Sequence, residues 1–468
     1  MKKKSLCIFL ILFSLVFSLF AQDNSQTSEW PDTISSYTQP DFRHGVLAFS
    51  EIMLYNISLY FYDDVVLDTE YANITLKTIW NNLQSGWIWD QDEFYINQIL
   101  HPYQGMLYYT AARSNGFGVF ESLGYNFFGM LAWEYLMEID KPAINDLFIT
   151  TIDGFYFGEL FHRTYKLAEN FNPFLAFLIS PQEGVTYFIT GQRSPGVQGR
   201  MEELYFRTGY GFISSDIHKD NNNQNLSMSN FKSMANGGLF YVYNDPYGHT
   251  TKEILDQFYV KLHYLWNPGY TMFFIQSDGM LYSKALNTKS DSTLGFSFQY
   301  DYIANEDINY NYNAFGGTFR QRIDFTNQTQ IKWGTSLSVS FNHCSENYDI
   351  LINDICHNTV NGAVQRLYDI GLGAGYDLEF EVNNPRFGRF FFDCSLNYMW
   401  ILPACKTVDG DTGSNFVVFG EAGYEHKICN NFWLGVSDFL YYKKGFYDTT
   451  PDVSHFMSIA NIYVKYSL

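Results

Sequence analysis

Between residues 101 and 163 a set of ionisable side chains sits in otherwise aromatic sequence: His101, Arg113, Glu121, Glu134, Glu138, Asp146, Glu159 and Arg163. Charge placed among rings is costly unless it is paired, so these residues form either a salt-bridge network or a reactive site. Glu134 and Glu138 fall one helical turn apart. Two carboxylates that close raise one pKa, or recruit Arg113, His101 or a cation. We read Arg113, Glu121, Glu138, Glu159 and Arg163 as the structural network, and His101, Glu134 and Asp146 as the catalytic candidates. Their spacing is not H-E-x-x-H or another closed metal pattern, so neither a metal nor a cofactor is expected. Ser114 and Ser122 lie near His101 and His162, but no Gly-x-Ser-x-Gly elbow is present, and Ser114 reads as a helix cap. Asp90 and Asp92 begin a cation loop that does not continue as a calcium hand, and read as a solvated turn.

The elements that must carry these residues are helices. Gly116 to Glu138 has Leu123, Phe127, Met130, Leu131 and Glu134 at three- and four-residue steps, opens after Ser114-Asn115 and stops before Pro142. Asn145-Asp146 is expected to cap a second helix from about Leu147, in which Gly154 and Gly158 admit a close neighbour and Glu159 pairs with Arg163. A weaker helix is expected from Gly45 to about Tyr60. The region 22–185 is too polar on average to sit in hydrocarbon alone. It is expected to plug a barrel, cap its periplasmic mouth or lie in the interface, and we favour the plug or cap.

The same stretch resembles an uncharacterised bacterial family. Trp89-Asp90-Gln91-Asp92-Glu93-Phe94, His101-Pro102-Tyr103-Gln104-Gly105, Ala111-Ala112-Arg113-Ser114-Asn115-Gly116, Trp133-Glu134, Pro142-Ala143-Ile144-Asn145-Asp146 and Gly154 with Gly158-Glu159 are similar to the signature of a domain of unknown function in envelope proteins of Gram-negative bacteria. Two positions depart from the pattern: Gln104 stands where a second His is common, and Ala143 where Ser is common. If that His were a ligand or base, this chain lacks it. The resemblance implies an envelope location and supplies no activity.

The first residues agree with export. Lys2, Lys3 and Lys4 precede an apolar run from Leu6 to Phe20, then Ala21, the order of a cleaved signal peptide covering residues 1–21. The formal charge of −20 argues against nucleic acid, because nothing offers phosphates a basic patch. Aromatic residues make up 19% of the chain, yet mean hydropathy is only −0.18. Alternating aromatic and polar residues give that combination in a barrel, one face toward lipid and one toward water.

Alternation dominates residues 186–468. Tyr368, Ile370, Leu372, Ala374, Tyr376, Leu378 and Phe380 share one phase, while Asp369, Gly371, Gly373, Gly375, Asp377, Glu379 and Glu381 share the other. Similar runs lie at 258–264, 294–302, 336–342, 390–400 and 461–468, separated by turn residues such as Asn267-Pro268-Gly269. We expect an antiparallel transmembrane β-barrel of about twelve strands, within ten to fourteen, with its apolar phase outward and a lumen rich in Gly, Ser, Asn and acids that would favour cations. Cys344, Cys356, Cys394, Cys405 and Cys429 remain after export; the first two would bracket a loop and could pair.

These observations predict an outer-membrane barrel that contacts lipid and the barrel-assembly machinery, with a porin-like or structural role. The alternative is an envelope lipid-modifying hydrolase or metal-assisted enzyme using His101, Glu134 and Asp146. The non-enzymatic reading is favoured, and substrate and oligomeric state stay open.

Overall fold

The computed structural model describes residues 40–67, 69–219, 226–286, 291–325, 328–347, 366, 368–405 and 411–468. The expected signal peptide and Cys356 lie outside the described residues. The chain divides into two compact units, one ending at Arg200 and one from Met201 to Leu468. The helix-to-strand boundary expected at 185/186 therefore falls fifteen residues later. The reason is local: Pro181, suited to the first turn of a helix, starts one that runs to Thr190 and stops at Gly191 in the left-handed conformation (φ 67°).

The helical unit contains α1 (Phe42–Phe61), α2 (Leu76–Gln84), α3 (His101–Ser114), α4 (Val119–Leu136), α5 (Ile144–Phe148), α6 (Gly154–Phe171), α7 (Pro173–Ile179) and α8 (Pro181–Thr190). Asp41 accepts from the Arg43 and His44 amides to cap α1, and Thr75 accepts from Thr78 to cap α2. The expected cap at Asn145-Asp146 is displaced: the residue before α5 is Ala143, and both polar residues lie inside the first turn. They are held there by partners described below. A wide turn, Ile149–Asp153, joins α5 to α6 and frees carbonyls that the Asn126 amide bonds, 3.2 Å to Thr150 and 2.9 Å to Thr151. Gly105 meets the same turn so closely that a Cβ would lie 1.8 Å from the Thr150 carbonyl oxygen.

Residues from Met201 form twelve antiparallel strands, β1 (Met201–Lys219), β2 (Leu226–Tyr243), β3 (Phe258–Asn267), β4 (Tyr270–Leu286), β5 (Asp291–Ala304), β6 (Asn309–Asp324), β7 (Gln330–Glu346), β8 (Tyr368–Asn384), β9 (Gly388–Ile401), β10 (Gly413–Cys429), β11 (Phe432–Tyr447) and β12 (Val453–Ser467). Each pairs with its sequence neighbours, and β1 pairs with β12 from Tyr205↔Ser467 to Lys219↔Val453, which closes the barrel. Closure leaves no unpaired edge, the condition for a sheet to cross lipid. Leu337 and Val339 point outward, 70% and 67% exposed, as do Leu372, Tyr376, Leu396, Ile462 and Val464. Among the described residues no two cysteines are joined, and no helix is long and apolar enough to cross a membrane.

Candidate functional site

The barrel interior is identified by bonds between strands that are not neighbours, which only the lumen can accommodate. At the end where β1 begins and β12 finishes, these bonds are ionic. Arg207 on β1 meets Glu421 on β10 at 2.8 Å, Lys261 on β3 meets Asp393 on β9 at 2.9 Å, and the Tyr259 hydroxyl on β3 donates to Glu379 on β8 at 2.8 Å. In the same belt Arg389 on β9 bridges its own neighbours, Glu381 on β8 at 2.6 Å and Glu425 on β10 at 3.0 Å, while Arg320 on β6 reaches past β5 to Asp278 on β4 at 2.8 Å. Beyond this belt aromatic rings enter the lumen among buried polar groups such as His343 and Asn397. Phe274 of β4 packs on Phe439 of β11 with ring centroids 5.6 Å apart, and Tyr310 of β6 packs on Phe419 of β10 at 5.4 Å. Rings from well-separated strands are therefore in contact at that level. A third layer follows, where Tyr441 donates to Glu346 at 3.1 Å and Tyr447 to Asp369 at 3.2 Å.

The small polar groups expected on the interior phase are there, among them Ser297, Thr318, Ser336, Asn313 and Asn397. Several of the acids are also there, but Glu421, Asp393 and Asp278 are answered by Arg207, Lys261 and Arg320 from other strands. Several interior phases carry aromatic or aliphatic residues, including Met457 and Ile459 of β12. Among the described residues, interior cavities of about 20 Å³ lie among Asp278, Gln299, Arg320 and Asp377 and between Arg207, His263, Phe274 and Phe439.

The connection from β2 to β3 also turns inward. Tyr247 lies 5.6 Å from the Arg322 guanidinium and 5.8 Å from the Lys332 ammonium. Arg322 clamps the segment by bonding Asp245 at 2.7 Å while holding Asp291 of β5 at 2.5 Å. His249 and Asp256 join at 2.8 Å, and the second Asp256 oxygen accepts from the Lys252 amide at 2.7 Å. Sequence reading missed this strap, since Asn244 to Gln257 looks like any polar loop.

In the helical unit two polar clusters are distinct. In the first, Glu159 is fully buried and receives Arg113 in two bonds of 3.0 and 3.2 Å, Arg163 at 3.0 Å and the Tyr109 hydroxyl at 2.7 Å. Burial pushes the Glu159 pKa up, but Arg113 and Arg163 outweigh it and hold the group below its ordinary value. The structure thus brings together three of the five residues proposed as a network. Glu121 is elsewhere: it is exposed and accepts from the Gly118 amide at 2.7 Å, at the start of α4. Glu138 belongs with the second cluster.

That second cluster holds the catalytic candidates. His101 Nε2 lies 3.6 Å from Asp146 and 3.9 Å from Asp92, and Asn145 donates to Asp146 at 3.0 Å. Glu134 accepts from the Ala143 amide at 2.7 Å, within the segment that the Ile88–Ala143 bridge ties to the Trp87–Asp90 stretch. Burial raises Glu134 to about 7, partly offset by the Ala143 amide and His101. Burial first, then Glu134 and Asp92, lift Glu138 well above the ordinary carboxylate value; burial, Asp90 and Glu134 do the same to Asp146. Burial pulls His101 down, but Asp92, Asp90 and Glu134 outweigh it and the net shift is upward. The arrangement can hold and exchange protons. Among the described residues no three His, Cys, Asp or Glu side chains converge closely enough to hold a metal ion.

Ser114 is not a cap: it closes α3 and shares a 2.8 Å bond with Thr186. Thr186 and Asn115 both donate to Glu51 at 2.9 Å, and burial lifts Glu51 to about 7. His162 bonds Glu183 at 2.9 Å, both fully enclosed. Glu51 and Glu183 were missed because each is a single acid far in sequence from its partners.

Residues 86–181 match a family model described as a domain of unknown function (DUF3943). No curated protein matches the chain. Among solved structures, an outer-membrane channel from Pseudomonas putida F1 is similar at 8% identity, covering 59% of this chain and 100% of that one, with a TM-score of 0.30. A FadL homologue from Pseudomonas aeruginosa gives 8%, 57%, 90% and 0.23, and the KdgM porin 8%, 55%, 99% and 0.22. The chain therefore carries, within its helical unit and ahead of a twelve-stranded barrel, a stretch similar to that family of unknown function.

Proposed function

We propose that this chain is an outer-membrane protein whose barrel spans the bilayer with a filled lumen and acts as an envelope scaffold for its helical unit rather than as an open pore. The observation that carries this reading is the contact of Phe274 with Phe439 across the barrel, backed by the ion pairs from Arg207 to Glu421 and Lys261 to Asp393. A solute path needs a continuous wet gap, and the described cavities in the lumen are small, about 20 Å³ each. The export leader, the outward apolar phase and contact with lipid and assembly machinery fit the same location. The test is conductance of refolded full-length protein in a planar bilayer. Silence from a barrel shown to be folded supports the scaffold, and discrete cation-selective steps overturn it.

A second reading, an envelope lipid-modifying enzyme, rests on His101 beside Asp146 with Glu134 raised to about 7, where a general acid and base would be poised near neutral pH. Replacing His101, Glu134 or Asp146 with retained folding and unchanged envelope lipid composition removes it.

A further inference from the structure

The helical unit encloses many of its charges beside an apolar core that includes Ile52, Tyr108 and Ala111, and it turns large apolar side chains outward on several helices. On α1 the buried positions include Glu51 and Asn56, while Phe42 is 85% exposed and Val46, Phe49, Ile57 and Phe61 follow it at helical spacing. On α2 only Asn82 is buried, and Leu76, at 88% exposure, leads a stripe with Trp80 and Leu83. On α8 the buried pair is Glu183 and Thr186, while Phe188 is 90% exposed beside Ile189. On α6 the enclosed residues include Glu159, His162, Arg163, Lys166 and Glu169. Phe120, Phe127, Phe174 and Phe177 add rings to the outside of α4 and α7.

A soluble helix buries its apolar stripe and solvates its charges. The reverse is stable where the surroundings are themselves apolar, since charges then have only each other as partners. We infer that the outer surface of the helical unit is a lipid-contacting surface, its partner the hydrocarbon and interfacial layer of a bilayer. Three observations favour lipid over a protein partner. The exposed apolar residues occur on five separate helices, more than one docking face would cover. They are rich in Phe and include Trp80, the side chains that settle at membrane boundaries. The helices also approach through glycine, Gly105 against Gly154 and Gly158 against the Tyr109 ring, the small-residue contact that serves when lipid offers no hydrophobic drive to association. Among the described residues no helix is long and apolar enough to cross a membrane, and the inference places this surface along the bilayer rather than through it. This inference rests on the membrane location proposed for the barrel that the same chain forms.

The test is carbene labelling of the full-length protein in phosphatidylethanolamine–phosphatidylglycerol vesicles with a bilayer-confined diazirine, followed by peptide mapping. Adducts on peptides carrying Phe42 to Phe61, Leu76 to Leu83 and Phe174 to Ile189, at levels within about threefold of the strand bearing Leu337 and Val339, are expected. Labelling of that strand with the helical peptides at least tenfold lower overturns the inference while leaving the barrel reading intact. Absence of label on both overturns the membrane reading and this inference with it.

Discussion

Glu159→Gln removes a buried negative charge that two enclosed guanidinium groups share. Arg113 and Arg163 are both enclosed, and Glu159 is the counter-ion within 3.0 Å of each. Breaking a buried pair by removing one partner costs about 3–5 kcal/mol, chiefly as an uncompensated buried charge. For a unit of this size that corresponds to a fall in melting temperature of about 6–20 °C. The pH dependence follows from the depressed Glu159 pKa. Its contribution is present above the unfolded carboxylate value of about 4.3 and is lost as pH falls through the folded value. The assay is protease resistance of the helical unit against temperature in the intact protein, at two ionic strengths. The variant should melt earlier, with little effect of salt because the pair is shielded from ions. Adding Arg163→Met should restore part of the loss. A loss under about 1 kcal/mol, or one that disappears in high salt, refutes the reasoning, because it shows Glu159 behaving as a solvated surface acid.

Glu134→Gln should act in the opposite sense. A folded value near 7 against about 4.5 means that ionisation costs stability as pH rises between them, so the variant should gain up to about 3 kcal/mol at pH 8 and nothing at pH 4, read from the same melting curves. Gly105→Ala forces a methyl onto the Thr150 carbonyl and should destabilise the helical unit by about 3 kcal/mol; retention of the parental melting point would show that the α3–α6 approach is looser than described. Arg322→Ala should release the strap, seen as faster tryptic cleavage after Lys252 without conductance, because the aromatic layer still seals the lumen. Current steps in that variant would assign the seal to the strap instead.

The barrel was legible because a strand's period of two survives any environment: the Tyr368 to Glu381 run gave both faces of β8 directly. Which interior residues meet across the lumen was not legible. Phe274 and Phe439 become partners only through the closure of β1 on β12, which no local pattern encodes. In the helical half, Glu159 with Arg163 followed from a four-residue step, whereas Arg113 joined them through tertiary packing of α3 on α6. Mean polarity could not show how that half is sorted, because an average does not record whether Glu51 or Phe49 is the residue turned inward. Asn145 and Asp146 looked like caps by composition, but their side chains serve Asp90 and His101 instead.

The pairing of β1 with β12 joins the two ends of the barrel sequence, so it is the longest-range contact in the sheet and the slowest to find. Until that seam zips, Arg207 on β1 faces water instead of Glu421 on β10, and the aromatic layer lacks part of its wall. The part of the lumen that the seam completes is dried and neutralised only when the ends meet, and a half-built sheet is a species exposed to misassembly. A chain arrested there would carry a charged, hydrated groove where the finished protein has a solid interior, and the time spent in that state sets how much help its assembly requires.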